Sequence, residues 1–157
     1  MAARPGIGPG RQGGGWHRIL LPVLGSRLLH RLALLALCAA YLQGGLNKAL
    51  DFDGAVAEMR HFNLEPAAAL AAATIALEIG ASVLILSGYL RWLGALALAG
   101  FTLMASFLAN PFWSAAAERL AMANAFFEHL GLAGGFLLVA WQDVRRRTAS
   151  TGGSESR

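Results

Sequence analysis

The sequence predicts an all-α polytopic membrane protein: a four-transmembrane-helix bundle with a short interfacial helix in its first outer loop. Three observations carry this. Apolar residues make up 56% of the 157-residue chain and charged residues only 14%, well under the quarter usual in soluble domains. The mean hydropathy is +0.51. The charges gather at the two ends and in short breaks, leaving four apolar runs near the ~20 residues a helix needs to cross a hydrocarbon core. With no soluble domain left to present it, the net charge of +4 reads as membrane-surface charge; no nucleic-acid partner is expected. Cys38 is the single cysteine, which excludes an intrachain disulfide and a CxxC redox pair.

Residues 1–27 read as a disordered basic N-terminal tail followed by an interfacial segment. MAARPGIGPGRQGGG offers almost nothing to bury. WHRILLPVLGSRLL mixes Arg18 and Arg27 with Trp16, Ile19 and Leu20, and Pro22 and Gly25 break it. The membrane domain covers 28–142. Its first span, about 28–47, reads as uncleaved, because no small-x-small site follows cleanly before Gln43. Leu37 is too large for the residue preceding a lipidated cysteine. Tyr41, Gly45 and Lys48 share one face of this span.

In the break that follows, Asp53 is the expected cap of a short amphipathic helix, with Phe52, Val56, Met59 and Phe62 along one stripe. Pro66 opens the second span, 67–88. It carries Glu78 near its middle, ~16 Å from its start at ~1.5 Å per residue. Tyr89, Arg91 and Trp92 make a cytoplasmic turn into the third span, 90–109, which Asn110-Pro111 ends. The fourth span covers 120–141, and 143–157 reads as a basic disordered C-terminal tail.

Basic residues set the orientation. Arg4, Arg11, Arg18, Arg27, Arg31, Arg91, Arg145, Arg146, Arg147 and Arg157 fall on one side; only Lys48, Arg60 and Arg119 fall on the other. That asymmetry places both termini in the cytoplasm.

Ionisable residues at membrane depth are expensive and usually face a bundle interior. Glu78 and Glu128 lie at similar depths in spans that run in the same direction. Asn124 shares the face of Glu128, His129 is its neighbour, and Gln43 lies in the outer third of the first span. These residues, with Lys48, are expected to converge on one polar pocket suited to proton exchange with a quinone or to a proton-coupled step. Interhelical hydrogen bonding is the competing reading, and the sequence leaves both open. No second histidine lies level with His129, so a bis-histidine haem is not expected. Glu128 and His129 point ~100° apart, so no metal site is expected either. No GxSxG, HExxH or phosphate-loop pattern is present.

Gly44-Gly45-Leu46-Asn47-Lys48, then Leu64-Glu65-Pro66, Glu78-Ile79-Gly80, Leu84-Ile85-Leu86-Ser87-Gly88 and Arg91, resemble the DoxX family. Asn124 and Gly134-Gly135 extend the likeness to about 28–141. The resemblance implies a four-helix, multi-pass protein of the bacterial inner membrane, with relatives linked to thiosulfate:quinone oxidoreductase and to membrane-associated oxidoreductase complexes. It implies that Lys48, Glu78 and Arg91 occupy recurrent polar positions. Asn63 stands where the family usually has glycine, and Asn110-Pro111 where a histidine is often seen. The expected function is a membrane partner or quinone-contacting subunit of a redox system, with quinone as the one cofactor it suggests. The expected partners are the lipid bilayer, a redox enzyme and a second copy of the chain. A small-solute or proton-coupled transporter and a purely structural assembly protein are the alternatives.

Overall fold

The computed structural model describes residues 16–114 and 117–152. Among them the chain forms six helices and no strand. They are α1 (Trp16–Leu24), α2 (Arg27–Leu50), α3 (Phe52–His61), α4 (Ala67–Ser87), α5 (Arg91–Ala109) and α6 (Arg119–Gly152). Four of them, α2, α4, α5 and α6, are long and apolar enough to cross a membrane. The chain divides into two compact units, Met1–Ala33 and Leu34–Arg157.

In the first unit, α1 continues through Pro22 and ends at Leu24, so the expected break falls at Gly25 alone. Pro22, in the second turn, removes the backbone donor that would otherwise pair with the Arg18 carbonyl, one bond of this nine-residue helix. Leu20, Leu21, Val23 and Leu24 are all exposed. Residues 1–15, expected to be disordered, lie outside the described residues.

The second unit is the bundle. Its buried residues repeat every three or four positions, as packed helices require. On α2 they are Leu34, Cys38, Tyr41 and Gly45. On α4 they are Ala67, Ala71, Glu78, Ala81, Ser82 and Ile85, and on α5 Gly94, Ala95, Leu98, Ala99, Thr102 and Ser106. On α6 they are Ala133, Phe136, Ala140 and Asp143. Outward-facing positions hold Leu35, Leu46, Val83, Leu96, Met104, Leu130, Leu137 and Leu138, all exposed. An interior mostly of small and hydroxyl side chains, filled out by Leu34, Ile85, Leu98 and Phe136, with large aliphatic side chains outside, is the arrangement of helices packed within lipid.

Glycines set the close crossings. A Cβ on Gly94 would lie 2.6 Å from the Ala81 carbonyl oxygen, so α5 meets α4 backbone to backbone. A Cβ on Gly45 would lie 2.8 Å from Ile79 Cγ1, which brings α2 against α4 one residue from Glu78. Tyr41 meets Phe136 of α6 edge to face at 5.3 Å.

The connections carry their own chemistry. Asp51, not Asp53, caps α3: its carboxylate accepts from Gly54 N at 3.0 Å. Asp51 is the one residue between α2 and α3, so the cap position falls on it, and Asp53 sits in the first turn, where an acid still suits the helix dipole. The buried stripe of α3 is Ala55, Val56 and Met59, packed on Ala67 and Ala71, while Phe52 is exposed. Asn63 has φ 56°, the left-handed region that favours glycine and that asparagine tolerates better than most residues. Gly88 takes φ 82° and ends α4, and Arg91 Nε donates to Ile85 O at 2.9 Å, satisfying a carbonyl of the last turn.

α6 outruns the expected fourth span. Residues 143–152, expected to be a disordered tail, continue the helix, and 153–157 lie outside the described residues. Side chains support that extension. Arg147 Nε donates to Asp143 at 2.9 Å one turn back, and the Arg145 guanidinium lies 4.8 Å over the Trp141 ring. Asp143 also accepts from Trp92 N at 3.3 Å, which ties α6 to the first turn of α5.

Candidate functional site

A cavity of about 330 Å³ lies among α2, α3, α4, α5 and α6. The register of each helix decides what reaches it. Tyr41, Gly44 and Lys48 follow one another on α2 at spacings of three and four, and Thr74 and Glu78 do so on α4. α3 and the loop after it contribute Glu58, Met59, Phe62 and Leu64; α5 contributes Phe101, Thr102, Met104 and Leu108; α6 contributes His129.

The polar feature of the wall is an ion pair. Lys48 Nζ lies 3.3 Å from one Glu78 carboxylate oxygen and 3.5 Å from the other. Glu78 is 5% exposed, and the Lys48 side chain 20%. Gly45 lets α2 come close to the base of Glu78: a Cβ there would lie 3.2 Å from Glu78 Cβ. A Cβ on Gly44 would sit 3.6 Å from Glu78 and 3.7 Å from Lys48 Nζ, an ordinary contact at the edge of the pair.

Beneath the pair runs a hydroxyl chain. Thr102 Oγ1 donates its single proton to Leu98 O, so it must accept from the Tyr41 hydroxyl. Both protons are thereby used inside the protein. On the far wall, Asn110 Nδ2 lies 3.4 Å from His129 Nδ1. An amide nitrogen only donates, so Nδ1 accepts and the ring proton resides on Nε2.

The expected pocket is therefore built from a different set. Lys48, Glu78 and His129 line one cavity. Gln43, Asn124 and Glu128 are exposed and do not line it. The two acids do not converge. One residue on a helix is worth ~100°, and it turns His129 inward and Glu128 outward. The inward face of α6 runs through His129, Ala133, Phe136, Ala140 and Asp143. Arg91 lies at the α4–α5 turn, away from the cavity, where it binds Ile85 O. Glu58, Tyr41 and Thr102 line the cavity without having been singled out as site residues. Tyr41 was legible, since it shares the face of Lys48; Glu58 was not, because a solvated loop carboxylate has the same sequence signature.

The wall can hold hydrogen-bond acceptors against Lys48 and His129, and apolar surface against Phe101, Met104 and Leu108. Among the described residues, no three His, Cys, Asp or Glu side chains gather as metal ligands.

No curated protein and no solved structure matches this chain. The DoxX family model matches residues 28–111, from α2 to the end of α5. That stretch is more than half of the 157 residues and includes both members of the Lys48–Glu78 pair. The chain is a helical membrane protein that belongs to the DoxX family.

Proposed function

We propose that this protein is a quinone-contacting membrane subunit that partners a redox system in the bacterial inner membrane, with both termini in the cytoplasm. The observation that carries the reading is an apolar cavity in the membrane-spanning bundle with one buried ion pair on its wall. Its volume, about 330 Å³, falls at the lower end of the ~300–1,000 Å³ typical of small-molecule sites. Its rim reaches Met104 and Leu108, which are exposed on the outer face of α5. A ligand with a polar ring and an apolar tail fits that gradient: the ring beside Lys48 and the tail out over Met104 and Leu108 into lipid. A quinone has this build. When bound it supplies two-electron redox chemistry; the protein supplies the donor at Lys48, the carboxylate at Glu78 and a largely apolar wall.

The orientation rests on the ten-to-three distribution of basic residues across the two sides. The test is equilibrium binding of a short-chain quinone, decylubiquinone, to the protein in lipid nanodiscs. Saturable binding that Lys48→Met weakens by tenfold or more supports the reading. Absence of saturable binding to the wild type overturns it.

A further inference from the structure

Among the described residues, His129 makes one hydrogen bond, through Nδ1 to Asn110, and none through Nε2. The donor rule at Asn110 places the ring proton on Nε2. His129, half-buried and on the cavity wall, therefore holds an N–H donor that nothing in the described protein satisfies. Lys48, on α2, holds the second nitrogen donor. Its ammonium has three protons, and Glu78 at 3.3 and 3.5 Å takes at most two. The Tyr41 and Thr102 protons are spent on Thr102 and Leu98. The Thr74 hydroxyl can donate or accept, so it does not set the polarity of a ligand.

Two nitrogen donors on separate helices ask for a ligand with two separated acceptors. An oxidised quinone ring has two carbonyl oxygens and no proton to give. A quinol carries protons on both oxygens; it can accept from Nε2–H only by turning its own O–H elsewhere. Glu78 and Glu58 provide acceptors near Lys48, but none faces the ring edge of His129 among the described hydrogen bonds.

We propose that His129 Nε2–H holds the second carbonyl of the ring and biases the cavity toward the oxidised form, with Asn110 as the positioning residue that fixes the tautomer. This rests on the quinone reading above. His129 lies beyond the stretch that the family match covers, so the contact is read from this chain alone.

The experiment compares decylubiquinone with its quinol by calorimetry under anaerobic conditions, in nanodiscs, across five proteins, Lys48→Met among them. The wild type is expected to bind the quinone several-fold more tightly than the quinol. His129→Phe is expected to weaken quinone binding about tenfold, one hydrogen bond's worth, and to erase the preference. His129→Gln, whose amide keeps a donor, is expected to retain part of both, and Asn110→Ala to fall between Gln and wild type. In parallel, nitrogen NMR of histidine-labelled wild type reads the tautomer without any substitution; a proton on Nε2 is expected. A His129→Phe variant that binds quinone like wild type while Lys48→Met does not overturns the assignment and leaves the quinone reading intact. So does a proton on Nδ1. A wild type that binds neither form overturns both.

Discussion

Removing Lys48 while leaving Glu78 in place should destabilise the bundle far more than removing both. At 3.3 Å the pair's attraction is about 5 kcal/mol with an effective dielectric of about 20. Taking two ions out of water costs several kcal/mol each, so the intact pair nets close to zero. The asymmetry appears when one partner goes. Glu78 is 5% exposed, and among the described residues its side chain bonds Lys48 alone, so the carboxylate is left buried without a counter-charge. Such truncations cost about 3–5 kcal/mol, and the partial exposure of Lys48 argues for about 3. Lys48→Met with Glu78→Met removes both charges at similar volume and should stay within about 1 kcal/mol of wild type. The assay is a double-mutant cycle by reversible unfolding in mixed micelles, with a coupling of about 2 kcal/mol expected. A Lys48→Met protein as stable as wild type, or strictly additive single variants, would refute the reasoning.

Adjacent glycines should behave oppositely. Gly45→Ala drives a methyl to 2.8 Å from Ile79 and should cost about 1–3 kcal/mol by the same unfolding assay. Gly44→Ala meets nothing closer than 3.6 Å and should be neutral or stabilising by up to about 1 kcal/mol through helix propensity. Asp143→Ala removes the acceptor for Trp92 N and should cost about 0.5–2 kcal/mol, with faster hydrogen exchange at the Trp92 amide as its local signature. Glu128→Gln, on the exposed face of α6, should leave decylubiquinone binding within twofold of wild type, whereas Glu78→Gln should weaken it by tenfold or more.

The spans were legible because lipid leaves a coarse mark: runs of about 20 apolar residues stand out whatever packs against them. Lys48, Tyr41 and Glu78 were legible for a finer reason, since spacings of three and four placed them on the same faces as small residues. α6 misled because two of its faces look interior. Asn124, Glu128 and Gly131 make one plausible stripe; His129, Ala133, Phe136, Ala140 and Asp143 make the other. Only the second is backed by large and small side chains that fill the core, and Phe136 is its anchor at 0% exposure. Two acids at matched depth draw attention to the first stripe, yet Glu128 is exposed. Asp143 looked like the start of a tail because a charged residue after Trp141 resembles a membrane exit. Its role depends on a backbone N–H of α5, 51 residues earlier, which no local pattern announces.

Photolabelling with an azidoquinone in native membranes, followed by peptide mapping, tests the central claim most directly. Labelling should concentrate on the cavity segments of α2, α5 and α6 around Lys48, Met104 and His129, and an excess of unlabelled decylubiquinone should suppress it. Labelling spread over the outward leucines, and insensitive to that competitor, would contradict the claim that this cavity is where the protein meets quinone.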